Sequence, residues 1–198
     1  TMPTIYKAPA PKTKTSMKAL AYFAVNPSGV RFETQEEKED VVLFLRQHPI
    51  VNVPWILTAI IMFLAPTVLF PFVFSFLPIA GALPVGYMIV GTVFWYVATF
   101  GFILGNFLYW FFNIYIVTNE RVVDIDFLYL LYKRFSQAEL TKIQDISYAS
   151  GGVLATIFDY GNVTIETAGE APNLEFEKVP HPQKVVETIR SVAGLGNK

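Results

Sequence analysis

Residues 47–119 read QHPIVNVPWILTAIIMFLAPTVLFPFVFSFLPIAGALPVGYMIVGTVFWYVATFGFILGNFLYWFFNIYIVTN, and these 73 residues contain no Asp, Glu, Lys or Arg. A helix on the surface of a soluble core keeps one polar face, and this stretch offers none. One membrane span needs about 20 apolar residues, so the run is long enough for two spans and a turn. Its natural break is Pro78-Ile79-Ala80-Gly81-Ala82-Leu83-Pro84, rich in turn formers. The sequence thus predicts a two-span hairpin over 50–111, with spans at about 50–76 and 85–111. Pro66 and Pro71 should kink the first helix or end it early.

Charge placement sets the orientation. Lys7, Lys12, Lys14, Lys18, Arg31, Lys38 and Arg46 precede the hairpin, and the turn carries no charge. The positive-inside rule puts the N-terminus and the C-terminal part in the cytoplasm, at the cell membrane. Trp55, Tyr109 and Trp110 fit interfacial aromatic anchors, and His48 beside Pro49 fits an interfacial position. With no long apolar stretch ahead of the spans, no signal peptide is expected.

Composition narrows the chemistry. Of 198 residues, 53% are hydrophobic and 16% charged, against about 45–50% and about 25% in soluble domains. Fifteen basic and sixteen acidic residues give a net charge of −1, so nucleic acid is not an expected partner. The absence of cysteine excludes disulfides and thiolate chemistry, and His48 and His181 are the only histidines. No metal and no cofactor is expected. The spans hold no carboxylate, Lys, Arg or His, the usual mark of an ion or proton path. A pore shared among several copies stays open as a rival to an anchoring role.

Gly91, Ala98, Gly101 and Gly105 follow one another at intervals of 7, 3 and 4, on one face of the second span. Small residues let helix backbones approach closely in lipid. That face is expected to pack on the first span or on another copy, with Asn106 beside it either bonding between helices or pointed at the interface.

The flanks read differently. Residues 1–33 are basic and proline-broken, an extended tail suited to anionic lipid. Residues 34–49 read as a juxtamembrane helix, with Thr34 and Glu37 as a capping box. Over 112–198 the period changes to that of strands. Ile114–Thr118 and Arg121–Asp126 join across Asn119-Glu120, and Ile143–Tyr148, Asn162–Thr167 and Leu174–Lys178 follow. Gly151, Gly152 and Gly161 read as turn glycines. Pro182 opens a last helix with the apolar stripe Val185, Val186, Ile189, Val192 and Ala193, closed by Gly194. The fold class is therefore a membrane α-helical hairpin plus a small β-sandwich or open barrel capped by a C-terminal helix.

One run stands apart. Phe127-Leu128-Tyr129-Leu130-Leu131-Tyr132 is more apolar than a half-exposed strand requires. Read as a strand, it would turn one apolar set outward, to be covered by a neighbouring subunit, a partner, the membrane surface or the chain's own N-terminal part.

Four stretches carry a resemblance: Glu39–Pro49, Tyr115–Arg121, Leu140–Ile146 followed by Gly151-Gly152, and Tyr160–Gly169. With them the chain resembles the bacterial pleckstrin-homology (PH) domain membrane proteins of the YdbS-like group, over about 39–193. The resemblance implies a PH-like fold of two β-sheets capped by a C-terminal helix and held at a membrane. It implies no catalytic motif. Phosphoinositide recognition needs clustered Lys and Arg, and the only candidates are Lys133, Arg134 and Lys142 in a domain that is net acidic. The leading functional reading is a non-enzymatic, membrane-anchored interaction or scaffold module that binds a membrane protein partner or assembles with itself. A pore component and an anionic-headgroup binder are the alternatives.

Overall fold

The computed structural model describes residues 15–16, 20–32, 34–76, 84–128, 132–168 and 173–195. Two antiparallel sheets and a helix form the domain. The larger sheet has the order β2-β4-β5-β6-β7, built from Phe23–Val25, Val41–Arg46, Ile114–Thr118, Arg121–Leu128 and Tyr132–Glu139. The smaller has the order β10-β9-β8, from Leu174–Pro180, Tyr160–Thr167 and Ile143–Ala149. Two-residue strands β1 (Thr15–Ser16) and β3 (Pro27–Ser28) pair separately in parallel. The C-terminal helix, numbered α5, spans Pro182–Val192.

The main core lies between the sheets. Leu43, Leu45, Tyr115, Val117 and Val122 meet Ile146, Val163, Ile165, Phe176 and Val179, and α5 adds Val185 and Ile189. The Tyr115 and Phe176 rings stack with centroids 4.5 Å apart. On the other face of the larger sheet Phe44, Ile116 and Val123 are covered by Val30 and Phe32.

This second core corrects the reading of 34–49. Val41–Arg46 is a strand, buried at all six positions, and not a juxtamembrane helix. It is central in its sheet and covered on both faces, so its apolar residues do not alternate, and a continuous run hides the period of two. Thr34 and Glu37 cap no helix; compact turns hold 34–40, with Glu36 N–H donating to Glu39 Oε2 at 3.1 Å. Nor is 1–33 wholly a tail, because Phe23–Val25 pairs with Leu43–Leu45.

The helical hairpin is inserted between the paired neighbours β4 and β5. A 3₁₀ turn, Pro49–Asn52, leads into α1 (Val53–Leu64). A π-helical segment, Ala65–Leu69, follows, then α2 (Phe70–Ser75). The return helix α3 runs Val85–Phe112. Pro66 does not end the first helix; the wider π turn absorbs it. Lacking an N–H, Pro66 leaves the Met62 carbonyl without its helical donor. Trp95 Nε1–H fills the gap, donating to Met62 O at 2.7 Å across the hairpin.

Pro49–Phe72 and Val85–Phe112 are both long and apolar enough to cross a membrane. Phe63, Phe72, Val93, Phe94, Val97 and Phe100 all stand exposed along them.

Candidate functional site

The domain and the helices meet at one end of the sheets, and the side chains there form the best-defined site. The His48 backbone N–H donates to Lys178 O at 2.7 Å. Lys178 has φ +49° at a bulge in β10, and a bulge re-aims the backbone. His48 Nδ1 accepts from Ile50 N–H at 3.2 Å, capping the turn that starts the first long helix. Its ring stacks on Tyr160 at 5.6 Å and meets the edge of Tyr22 at 5.7 Å. Burial and the neighbouring His181 push its pKa down, against a smaller opposing pull from Asp159.

The return helix is fixed with equal care. Trp110 Nε1–H donates to Gln47 O at 2.9 Å. This indole is buried and joins the return helix to the residue just past β4, a different job from the lipid-facing anchor its position suggests. Asn113 Oδ1 accepts from Phe127 N–H at 2.7 Å, and the Phe127 ring lies 5.2 Å from Phe112. The buried Arg46 guanidinium sits 4.3 Å from the Phe111 ring centroid and donates to Ala21 O at 3.0 Å. A cleft of about 210 Å³ remains, lined by Trp55, Asn106, Trp110 and Glu177 among others.

At the opposite end Glu39 and Arg121 tie the leading segment to the first β-hairpin of the domain. Arg121 donates through Nε to Glu39 Oε1 at 2.9 Å and through Nη2 to Oε2 at 2.8 Å. The Thr118 hydroxyl donates to the same Oε1 at 2.7 Å. Burial alone would push the Glu39 carboxyl up; the bonds from Arg121, Thr118 and the Glu36 backbone outweigh it and hold the group below its usual range.

Asp124 shows the reverse balance. Its carboxylate faces the intersheet core near the helices, and burial with the charges of Asp126 and Glu177 pushes it up to about 7, Arg134 opposing. One of its oxygens is buried without a hydrogen-bond partner among the described residues. Burial likewise raises Asp126, again with Arg134 opposing.

Phe127-Leu128-Tyr129-Leu130-Leu131-Tyr132 is not one strand: β6 ends at Leu128, β7 begins at Tyr132, and the two residues pair. Tyr129, Leu130 and Leu131 lie outside the described residues. The paired residues Leu128 and Tyr132 lie at the end of the sheet that carries the helices. Arg134 and Lys142 do not converge. Arg134 faces Asp126 across the ladder, while Lys142 lies beyond the far end of β7, 3.1 Å from Glu139. The strand from Arg134 to Glu139 alone spans roughly 17 Å.

The small-residue face does not pack on the first helix. A Cβ added at Gly91, Gly101 or Gly105 would meet nothing within 4 Å, and Ala98 is exposed. The seam instead runs through Trp95, buried Thr99, Asn106 and buried Trp110, roughly a quarter-turn away around the helix at ~100° per residue. Larger side chains win there because Trp95 satisfies the carbonyl freed by Pro66. Asn106 donates to Phe102 O within its own helix at 2.8 Å.

One element went unread in the sequence. Val153–Phe158 is a short helix, α4, between β8 and β9. Val153, Leu154, Ile157 and Phe158 are exposed, by 76%, 59%, 67% and 43%, and Ala155 alone is buried. Spacings of 1, 4 and 5 put the four on one face, a pattern legible in the sequence once the segment is taken as helical. Gly152 precedes it at φ +93°, as a turn glycine should. Gly161 is not in a turn but in β9, where a Cβ would come within 2.6 Å of Ala149 O.

No curated protein and no solved structure matches the chain. A family model does, described as Bacterial PH domain and spanning residues 48–193. That match runs from the histidine at the foot of the first long helix to the end of α5, most of the sequence, and the chain belongs to the bacterial PH domain family.

Proposed function

We propose that this chain is a membrane-anchored interaction module. The paired helices cross the cell membrane, and the PH-like domain, held on its cytoplasmic side, acts by contact with a membrane protein partner or with further copies rather than by catalysis. One observation carries the reading: apart from their mutual seam and their feet, the two long helices leave large apolar side chains uncovered along their length. A helix apolar all round has no aqueous resting place. The insertion of the hairpin between paired strands suits anchoring. Two chain connections leave the sheet side by side, and bonds from His48, Trp110 and Asn113 brace them, so the domain is held without a swivel. The separation of Arg134 from Lys142 favours protein contact over a headgroup pocket.

The test uses single cysteines, since the chain has none. In intact cells Gly81→Cys is expected to react with an impermeant maleimide, and Glu170→Cys only after lysis. Alkaline carbonate should leave the chain in the membrane pellet. Release by carbonate, or labelling at 170 from outside, would overturn the anchoring or its orientation respectively.

A further inference from the structure

We propose that the apolar face of α4, Val153–Phe158, rests in the interfacial layer of the same bilayer that the paired helices cross, giving the domain a second point of contact with lipid. This rests on the spanning role proposed above. Three observations place the face at the right end of the domain. Asp159, the residue closing α4, is followed by Tyr160, whose ring stacks on His48 at 5.6 Å. His48 in turn caps the turn from which the first long helix departs. The strand ends around α4 agree: Ala149 pairs with Asn162 and Pro180 with Tyr160, while Lys178 accepts the His48 N–H.

The face itself has the chemistry of an interfacial helix turned outward. A helix docking on its own domain buries its large apolar residues. Here Ala155 alone is buried, and Val153, Leu154, Ile157 and Phe158 face out. Tyr148, on the preceding strand β8, is likewise 48% exposed. Residues 153–158 carry no charge, so the attraction is apolar and indifferent to anionic lipid. A contiguous exposed apolar patch marks a contact surface. The helices bring a bilayer to this end of the domain, and lipid is the surface already present.

The backbone suits a fixed outward presentation. Gly152 at φ +93° and Asp159 at φ +49° bracket the helix, and Asp159 is paired with His181 of the α5 entrance. Close packing of Gly161 against Ala149 and Pro182 locks the strand behind it.

The experiment places one cysteine at a time, labels it with an environment-sensitive fluorophore, and reads the full chain in phosphatidylcholine nanodiscs. Ile157→Cys and Leu154→Cys are expected to show blue-shifted emission and quenching by spin labels near the headgroups, at a depth of about 5–10 Å. Ser191→Cys, exposed near the C-terminal end of α5, is expected to report water. Phe94→Cys, exposed mid-helix, is expected to be quenched by labels deep in the acyl chains. With 94 quenched, water-like emission at 154 and 157 overturns the proposal. Shielding from water at those positions without lipid quenching overturns it too, and points to a second copy or another protein over α4. A water-like label at 94 overturns the spanning role and this inference together.

Discussion

The hairpin and the β-domain draw on the same apolar residues and use them in opposite ways. In the domain, Leu43, Val117, Ile165 and Phe176 are wholly enclosed, and exposed polar residues alternate with buried apolar ones along β10. In the hairpin, Phe63, Phe94 and Val97 stand open while two polar side chains turn into the seam: Trp95 bonds the carbonyl left bare by Pro66, and Thr99 bonds Trp95 O at 2.9 Å. The domain makes its own apolar interior. The hairpin satisfies its backbone and leaves its surroundings to supply the rest, which is the arrangement lipid requires.

The largest expected difference between the regions is in the cost of removing a phenylalanine. Phe176→Ala empties a core position stacked on Tyr115 and should cost about 3–5 kcal/mol. Phe94→Ala, at 73% exposure, should change domain stability by no more than about 0.5 kcal/mol. Denaturant unfolding of the full chain in mild detergent, followed by near-UV circular dichroism, measures both. A comparable loss at Phe94 would mean that the hairpin surface is covered by protein and that the contrast fails.

The next effect concerns the segment ahead of the helices. The family match begins at residue 48, yet β2 and β4 lie before it and supply two of the five strands of the larger sheet. Glu39 holds this segment to Arg121 and Thr118 with its side chain fully enclosed. Arg121→Met should therefore leave a buried carboxylate unpaired and cost about 3 kcal/mol. Because the folded Glu39 pKa lies below its unfolded value, its contribution is present at neutral pH and is lost as pH falls through the folded pKa. The same unfolding assay at neutral pH and below the ordinary glutamate range should show the variant losing this acid dependence. An unchanged midpoint would mean that the Glu39–Arg121 pair adds nothing to the hold that β4 already has through its pairing with β2 and β5.

These cases show what the sequence could carry. The two long apolar helices were legible because a charge-free run of such length cannot supply the polar face that a helix on a soluble core keeps. β9 was legible because Val163 and Ile165 are buried while Thr164 and Glu166 are not, so the alternation survives. β4 was not, since burial on both faces erases alternation, and its apolar run merges into the helices that follow. β7 failed for the opposite reason. Of its residues Ala138 is buried while Arg134, Phe135, Gln137 and Glu139 are exposed, so an edge strand looks like a polar loop. At the junction, Trp110 was visible as an aromatic near a helix end, but its bond to Gln47 O depends on which strands flank the helices. The outward face of α4 inverts the rule that apolar residues point inward, so its spacing suggested nothing until the helix was seen.

A smaller, pH-dependent effect is expected at Asp124, a buried carboxylate pushed up to about 7. Its folded pKa exceeds its unfolded value, so the stability it contributes is fully present below the unfolded pKa and is lost as pH rises through about 7. Asp124→Asn should hence stabilise the domain above neutrality, by on the order of 2 kcal/mol after allowing for relaxation and water. It should also flatten the decline between mild acid and pH 8. Unfolding midpoints across that range decide it, and a variant as pH-sensitive as the parent would place the titration elsewhere.

The smallest effect tests the hairpin's own inner logic. The small residues of α3 lie off the seam, and a Cβ at Gly101 or Gly105 meets open space. Within one chain, then, Gly101→Leu with Gly105→Leu adds side chains where an added Cβ has no atom of the described residues within 4 Å. Two glycines leave the helix interior, which favours the helix by up to about 1 kcal/mol each in propensity, while the Trp95 bond to Met62 and the Trp110 bond to Gln47 are left in place. The double variant should fold and insert as the parent does, with domain unfolding shifted by no more than about 0.5 kcal/mol. Size-exclusion chromatography in mild detergent supplies the second reading. If the parent elutes as an oligomer and the variant as a monomer, the glycines serve contact between copies; if both elute alike, lipid is all that meets them. Loss of folding in the isolated chain would contradict the seam described here, because it would require Gly101 and Gly105 to lie against α1.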